Sequence, residues 1–466
     1  MSWSRVVEET PEERAWLDEY TSCPQTTYRG GKRHEGTFRM VHPQTSVMPT
    51  GLLPLVQQAA AADGIQLTVE DTRPPPPARV DQQADLRWLR DYQVDAVMRA
   101  ARAGRGLIKA PTGAGKSEIF IGLTRVLDCE WLFVVHRTDL VRQAANRYHQ
   151  RTGETAGTFE KGRWQRGSCN VTVATFQSLV AHMKKRNPGV QELIDAVQAL
   201  MVDEVHAQPA DSFYKVTLKL VNARFRYGLS GTPLDRGPVA ALRTIGALGP
   251  IVYKISTELL TARGYLAKPT IRMRRCEQYS AAGATWQEVY RDLVVRSPER
   301  NEVVCRMVDK ATKPALVFVE HVDHGRRLQE LLQKRGHRVE FVYGSSSLDG
   351  RQRKIRHLVE GRQDVLICNV IFQEGIDIPE LQSVVVAAGK SSAVAALQRL
   401  GRGMRTSEGK DTFELWDVFD RGQDWLARHA TARKQAYRKG GHEVVISQDL
   451  KESFTSQGKL DFAAHD

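Results

Sequence analysis

Seven short apolar segments, rich in valine, isoleucine and leucine, alternate with helical patterns between residues 105 and 390. They are GLIKAP (106–111), WLFVVH (131–136), VTVATF (171–176), ALMVDE (199–204), ALVFVE (315–320), DVLICN (364–369) and SVVVAAG (383–389). Strands that read as continuous apolar runs are buried on both faces, which is typical of parallel sheets flanked by helices. Seven such strand–helix units are more than one open-sheet domain usually contains, so the sequence predicts an α/β fold with two tandem parallel-sheet domains.

A tetraproline in TRPPPPARV (72–80) marks the clearest boundary, because prolines favour a stiff extended spacer. Before it we predict a small α/β module with strands at 36–42 and 65–71. Between those strands a helix is expected over 50–64, with Thr50 as N-cap and Gly64 as stop. The predicted domains are therefore the module (1–80), a first sheet domain (81–262), a second (263–440) and a tail (441–466).

The charge balance favours a polyanionic partner but does not establish one. The 466 residues include 67 Lys+Arg against 54 Asp+Glu, a net charge of +13. Lysines and arginines placed on phosphates release condensed counterions, although many basic proteins bind no nucleic acid. A basic segment at 421–441 reads as a helix with a solvated basic face.

Six cysteines without CxxC spacing argue against a zinc site or a disulfide framework. No apolar run reaches the roughly 18 residues of a membrane span, and the acidic N-terminus lacks the features of a signal peptide. We therefore expect a cytoplasmic protein that is not secreted and has no membrane partner.

A phosphate-binding loop is predicted at residues 110–117, APTGAGKS, between a strand and a helix. Gly113 and Gly115 allow the backbone N–H groups to approach phosphates, and Lys116 would reach the β- and γ-phosphates of ATP. The Ser117 hydroxyl would be a ligand of Mg²⁺. A chance glycine turn before a helix is the alternative interpretation of this segment.

Two adjacent carboxylates follow the apolar strand in ALMVDEVH (199–206), within one domain's length of Lys116. Asp203 can hold Mg²⁺, and Glu204 can orient and deprotonate the attacking water. His206 would lie beside the γ-phosphate. Upstream, Gln93 in LRDYQ can read the adenine edge through its amide, or can be an exposed helical glutamine.

Together these segments resemble the superfamily 2 helicases, the DExD/H-box ATPases built from two RecA-like domains. The similarity spans most of residues 85–420 in the order of the family's motifs. Those motifs are LRDYQ (89–93), APTGAGKS (110–117), VVHRTDLVRQ (134–143), VATFQSL (173–179), DEVH (203–206), LSGTP (229–233), ALVFVEHVDHGRRL (315–328), NVIFQEGIDIPEL (369–381) and QRLGRGMR (398–405).

The resemblance implies a role for individual residues. ATP contacts are implied for Arg90, Gln93, Pro111, Thr112, Gly113, Ala114, Gly115, Lys116, Ser117, Gly375 and Asp377. Gln398 would organise the cleft, with Arg402 and Arg405 placed on the γ-phosphate, where guanidinium charge stabilises phosphoryl transfer. Nucleic-acid contacts are implied for Arg137, Thr175, Gln177 and Asn369, the last standing where the family commonly has threonine.

The motif spelling is closer to the UvsW-type phage recombination helicases and the XPB and restriction-enzyme motor group than to DEAD-box RNA helicases. The expected function is an ATP-dependent DNA helicase or translocase acting on branched or duplex DNA in recombination and repair, with ATP and Mg²⁺ as cofactors. An RNA helicase and an ATP-gated DNA clamp or motor subunit remain alternatives. We expect a monomer or weak oligomer, with recombination or replication proteins as partners, and a substrate-engaging N-terminal module.

Overall fold

The structure is a computed structural model. It describes residues 3–5, 10–29, 32–73, 75–76, 78–185, 188–207, 210–280, 284–344, 348–369, 378, 380–390 and 412–447. The chain divides into two compact units, Met1–Ser256 and Thr257–Asp466. Within the described residues, no helix combines the length and apolar character needed to cross a membrane.

The first unit contains twelve described strands and nine described α-helices. The strands are β1 (Trp3–Arg5), β2 (Ser22–Arg29), β3 (Lys32–Arg39), β4 (Val47–Pro49), β5 (Arg105–Lys109), β6 (Trp131–Val135), β7 (Gly157–Glu160), β8 (Arg163–Gln165), β9 (Val171–Thr175), β10 (Ala199–Asp203), β11 (Phe225–Ser230) and β12 (Ile251–Lys254). The helices are α1 (Pro11–Thr21), α2 (Leu53–Ala62), α3 (Asp91–Ala103), α4 (Lys116–Val126), α5 (Thr138–Thr152), α6 (Phe176–Lys185), α7 (Pro188–Ala196), α8 (Ala210–Lys219) and α9 (Pro238–Leu248).

Eight strands of the first unit form one sheet in the order β12-β5-β11-β10-β6-β9-β7-β8. All neighbours pair in parallel except β7 and β8, which are antiparallel. The strands β5, β6, β9 and β10 are almost entirely buried, as their continuous apolar runs predict. Because parallel strands end at the same edge, the residues that follow β5, β6, β9, β10 and β11 are brought together.

The N-terminal module packs against α9 of the sheet domain. Its apolar residues Leu17, Met48 and Val56 are buried in one cluster with Leu242 of α9. The contact is close, since a Cβ added to Gly51 would lie 2.2 Å from the carbonyl oxygen of Ile245. Apolar burial of this kind holds the module against α9 of the sheet domain within the first unit.

The prediction of a strand at 65–71 is wrong. These residues form no strand in the structure, and Leu67 and Val69 are 39% and 43% exposed. An alternating pattern is a local signal, whereas a strand also needs a neighbouring strand to accept its backbone hydrogen bonds. The preceding helix begins later than predicted, because Thr50 starts a short 3₁₀ turn, Thr50–Leu52, and α2 follows it.

The second unit has seven described strands and six described α-helices. The strands are β13 (Lys268–Gln278), β14 (Ala315–Val319), β15 (Val339–Val342), β16 (Val365–Asn369), β17 (Ser383–Val386), β18 (Thr412–Gly422) and β19 (Val444–Ser447). The helices are α10 (Thr257–Ala262), α11 (Trp286–Tyr290), α12 (Pro298–Lys310), α13 (Val322–Lys334), α14 (Leu348–Val359) and α15 (Asp424–Lys439), with one π-helical turn at Arg291–Val295.

These seven strands form one parallel sheet in the order β15-β16-β14-β17-β18-β13-β19. Two parallel-sheet units of RecA-like type, with a small N-terminal α/β module, confirm the predicted fold class. Strands β14, β16 and β17 are buried along their whole length.

The basic segment at 421–441 is helical over α15, but its basic face is not wholly solvated. Arg433 is fully buried, and its Nε lies 2.9 Å from Oδ2 of the buried Asp417. The hydroxyl of Tyr437 donates to the same oxygen at 2.9 Å. One arginine of the segment therefore fixes the helix to β18, because a buried guanidinium needs a charged partner.

Candidate nucleotide-binding site

The loop at 110–117 links β5 to α4 as the sequence predicts. Gly113 and Gly115 have φ of +89° and +75°, in the left-handed region that favours glycine. Gly115 immediately precedes α4, whose first residue is Lys116. Unpaired N–H groups at a helix start, together with the helix dipole, favour phosphate binding at this position.

Residues at the start of α3 form hydrogen bonds to this loop. The Gln93 side chain is buried, and its Nε2 donates to the Ala114 carbonyl oxygen at 3.0 Å. Its Oε1 accepts from the backbone N–H of Arg90 at 2.9 Å, and the Tyr92 hydroxyl also donates to the Ala114 carbonyl at 3.0 Å. The Gln93 amide thus holds the loop in this structure, and sequence reasoning missed the contribution of Tyr92.

Asp203 and Glu204 lie at the C-terminal end of β10, beside the loop. Glu204 forms an ion pair and a hydrogen bond with the Lys116 amine. Its backbone φ is +45°, in a region that non-glycine residues rarely occupy, so the carboxylate is held by a strained backbone. The structure therefore brings together three of the predicted catalytic residues.

Burial and neighbouring charges shift the pKa values of Asp203 and Glu204 in opposite directions. Burial raises the pKa of Asp203 to about 6 from its ordinary 3.8, and the neighbouring Glu204 charge adds to that rise. Burial also acts to raise the pKa of Glu204, but the charges of Lys116 and His206 outweigh it, so that pKa is lowered. At neutral pH Glu204 is therefore a carboxylate, which is the form a general base requires.

His206 connects this site to the next strand of the sheet. Its Nδ1 lies 2.7 Å from the Ser230 hydroxyl oxygen and 3.2 Å from Oε2 of Glu204. The same hydroxyl accepts the backbone N–H of Thr232 at 3.0 Å. Ser230 is fully buried, and sequence reasoning did not select it, although it belongs to the LSGTP motif.

Three of the predicted nucleic-acid residues lie at this same edge of the first sheet. Arg137 precedes α5 and pairs with Asp139, with Nε 3.1 Å from Oδ1. Thr175 is buried, and its hydroxyl donates to Ser178 Oγ at 2.8 Å. The exposed Gln177 donates from Nε2 to the His136 carbonyl at 3.0 Å.

The fourth predicted nucleic-acid residue, Asn369, belongs to the second unit, where it ends β16 and is buried. No described residue hydrogen-bonds its Oδ1 atom. The predicted ATP contacts Gly375 and Asp377 and the predicted cleft residues Gln398, Arg402 and Arg405 lie outside the described residues.

Two family models match the chain, one on each unit. The model described as "Type III restriction enzyme, res subunit" matches residues 87–235, and "Helicase conserved C-terminal domain" matches residues 299–407. The first match contains the loop, both carboxylates and Ser230.

Two curated relatives extend this similarity across most of the chain. "ATP-dependent DNA helicase uvsW" of Enterobacteria phage T4 is 26% identical over 349 residues, covering 71% of this chain and 68% of that protein. "DNA 3'-5' translocase XPB2" of Sulfurisphaera tokodaii is 25% identical over 359 residues, covering 69% of this chain and 79% of that protein.

A solved structure shows the same fold. The "ATP-dependent Type ISP restriction-modification enzyme LlaBIII bound to DNA" superposes with a TM-score of 0.55 at 14% identity, covering 78% of this chain and 32% of that chain. This similarity concerns the arrangement of the sheets and helices.

Proposed function

Because the chain belongs to the superfamily 2 helicases, we propose that it is an ATP-dependent DNA helicase or translocase that remodels branched or duplex DNA. The observation that carries this proposal is the contact between Lys116 of the phosphate loop and Glu204 at the end of β10. This contact supports the proposed roles of Lys116 as the cation that binds phosphate and of Glu204 as the general base, because the two groups meet at the C-terminal ends of β5 and β10. The printed names of both curated relatives, a DNA helicase and a DNA translocase, support DNA as the substrate.

The ion pair between Lys116 and Glu204 suggests how binding prepares hydrolysis. A triphosphate in the loop attracts the Lys116 amine toward its β- and γ-oxygens. Glu204 then loses its cationic partner and is left to orient a water and accept its proton. In this mechanism the nucleotide itself releases the base.

The site also fits Mg²⁺. Asp203 and Ser117 offer the carboxylate and hydroxyl oxygens that this ion accepts beside phosphates. The charge of Lys116 acts to lower the pKa of Asp203 against the effect of burial, which favours the ionised carboxylate. Bound there, Mg²⁺ would neutralise charge on the phosphate oxygens.

The family resemblance assigns stabilisation of the developing γ-phosphate charge to Arg402 and Arg405. Guanidinium groups are permanently charged and multidentate, as this step requires. The resemblance also assigns the organisation of the cleft to Gln398 and contacts with ATP to Gly375 and Asp377.

On the first unit, Arg137 and Gln177 are the proposed DNA contacts at the sheet edge next to Asp203. Arg137 is half-buried and Gln177 is exposed, whereas Thr175 is buried just before α6, and its hydroxyl donates to Ser178 Oγ. Asn369 is proposed as the corresponding contact from the second unit.

The proposed setting is recombination, repair or fork regression in the cytoplasm of a bacterium or a phage-infected host. The protein acts there as a monomer or weak oligomer, beside recombination or replication proteins. The N-terminal module is the proposed substrate-engaging part.

Steady-state ATPase assays with four-way junctions, duplex DNA, single-stranded DNA and RNA test the proposal. We expect strong stimulation by DNA, largest for branched DNA, and its loss in Lys116→Ala. The matched control is Lys215→Ala, an exposed lysine on α8 whose side chain is 71% accessible. Stimulation by RNA alone would overturn the DNA assignment, and full hydrolysis by Lys116→Ala would overturn the phosphate site.

A further inference from the structure

A cavity of about 430 Å³ lies in the first unit, apart from the nucleotide-binding loop. Its lining includes five arginines, Arg73, Arg79, Arg102, Arg105 and Arg224. We call it the arginine cavity. Arg105 and Phe225 begin β5 and β11, so the cavity lies at the N-terminal edge of the sheet. The phosphate loop follows Lys109 at the other end of β5, about 13 Å away along the strand.

Arg105 is the most buried of the five arginines that line the cavity. Arg105 is only 8% exposed, and its Nη2 atom is buried without a hydrogen-bond partner among the described residues. A buried charge without a partner is costly, so such groups are rare unless a ligand or an ion pair compensates them.

A buried arginine on the neighbouring strand, Arg226, provides a comparison for Arg105. Arg226 lies beside Arg105 in the parallel register of β11 and β5, and it is 1% exposed. Its guanidinium donates to the carbonyl oxygens of Ala223 and Thr217, both at 2.7 Å, and also to that of Leu220. Arg226 is therefore satisfied within the protein, whereas no described carbonyl or carboxylate receives Nη2 of Arg105.

The arginines around Arg105 leave an excess of positive charge. Arg73 and Arg224 both pair with the carboxylate of Asp71, at 2.6 Å and 3.2 Å. The exposed Arg79 and Arg102 pair with no acidic side chain in the described part of the chain. Burial and the charges of Arg73 and Arg224 lower the pKa of Arg105 to about 10, which still leaves it protonated at neutral pH.

We propose that the arginine cavity binds a small ligand carrying a di- or triphosphate group, with Arg105 as the central contact. Guanidinium groups match phosphate oxygens in geometry and charge, and several arginines converging on one cavity suit an oligophosphate. The volume is within the range of small-molecule sites and too small for a duplex. Leu53 and Phe225 supply an apolar wall against which a nucleobase can lie.

This site does not depend on the proposed helicase function. The catalytic loop and carboxylates lie at the C-terminal ends of β5 and β10, and no residue of that site lines the arginine cavity. Its test therefore measures binding rather than hydrolysis.

Isothermal titration of the full chain with tripolyphosphate, in the Lys116→Ala background without Mg²⁺, isolates the cavity from the phosphate loop. We expect one remaining binding event. Adding Arg105→Met should weaken it about tenfold to a hundredfold, because one charge-assisted contact is lost. The free Arg105→Met protein should be at least as stable as its parent, since it no longer buries an uncompensated charge.

Two further variants complete the test. Arg79→Met removes an exposed lining arginine without risk to the core and should weaken binding several-fold. Arg99→Met is the matched control on α3, 60% exposed and paired with Asp95, and should bind as tightly as its parent.

Two results would overturn the proposal. One is tripolyphosphate binding that is absent in Lys116→Ala or equal in the Arg105→Met and parent proteins. The other is an Arg105→Met protein that binds duplex DNA more weakly but tripolyphosphate unchanged, which would assign the arginines to the DNA backbone.

Discussion

At the scale of single residues, the site depends on two adjacent carboxyl groups with opposite pKa shifts. Burial raises the pKa of Asp203 to about 6, whereas Lys116 and His206 lower that of Glu204 against the effect of burial. A raised carboxyl pKa contributes stability that is fully present below about 3.8 and is lost as pH rises through about 6. Ionised Asp203, the form proposed to hold Mg²⁺, is therefore kept at a cost in stability.

Replacing Asp203 by asparagine should relieve this cost above pH 6. We expect the difference in Tm between Asp203→Asn and the wild type to become more positive between pH 5 and pH 8, while ATP hydrolysis is lost. Thermal unfolding of both proteins at a series of pH values measures it. A Tm difference that does not change with pH would contradict the assigned shift.

The bond between His206 and Ser230 is the second residue-scale feature with a functional consequence. It joins His206, two residues after Glu204, to Ser230 at the end of β11 at 2.7 Å. In Ser230→Ala we expect ATP affinity within about twofold of wild type, but a DNA-stimulated turnover reduced about tenfold, because His206 and Glu204 lose their positioning.

Nucleotide binding and DNA-stimulated ATPase rates, measured on the same protein, separate these effects. Ser168→Ala, which removes a hydroxyl that accepts the Thr155 backbone N–H, is the matched control. Equal loss of affinity and turnover in Ser230→Ala would indicate a general structural defect instead.

At the scale of elements, sequence patterns predicted buried strands better than exposed ones. The continuous apolar runs at β5, β6, β9, β10, β14, β16 and β17 all form strands. The alternating run at 65–71 forms no strand, and no strand in the described part of the chain pairs with it. A strand that is buried on both faces can be recognised from its own apolar residues, whereas the pairing of a strand depends on residues that are distant in the sequence.

The packing of α13 on β15 offers a direct test of an element contact. A Cβ added to Gly325 would lie 2.3 Å from the ring of the buried Phe341. Gly325→Ala should therefore destabilise the protein by about 1–3 kcal/mol through overpacking. Adding Phe341→Leu should recover part of that loss, although Phe341→Leu alone is destabilising.

Urea unfolding of the single and double variants measures this coupling. Gly36→Ala, where an added Cβ meets nothing within 4 Å, serves as the control. Strictly additive losses in the double variant would show that Gly325 and Phe341 do not meet.

At the scale of the whole molecule, the convergence of the proposed ATP-site residues was predictable, because these residues belong to short motifs at strand ends. Lys116 begins α4, Asp203 ends β10, and Glu204 and His206 come shortly after β10, so parallel pairing of the strands brings them together. The arginine cavity was not predictable, since its arginines come from three separate stretches of chain with no shared motif. The burial of Arg433 against Asp417 was hidden in the same way within a run of basic residues.

In the proposed function, ATP hydrolysis at the Lys116 and Glu204 site drives remodelling of DNA. The most direct measurement follows a labelled synthetic four-way junction as it is resolved into duplex products, with ATP and with a non-hydrolysable analogue. We predict ATP-dependent resolution by the wild type and none by Glu204→Gln, which still binds ATP because its phosphate loop is intact. A wild-type protein that hydrolyses ATP but leaves the junction unchanged, or a Glu204→Gln protein that resolves it, would contradict the account.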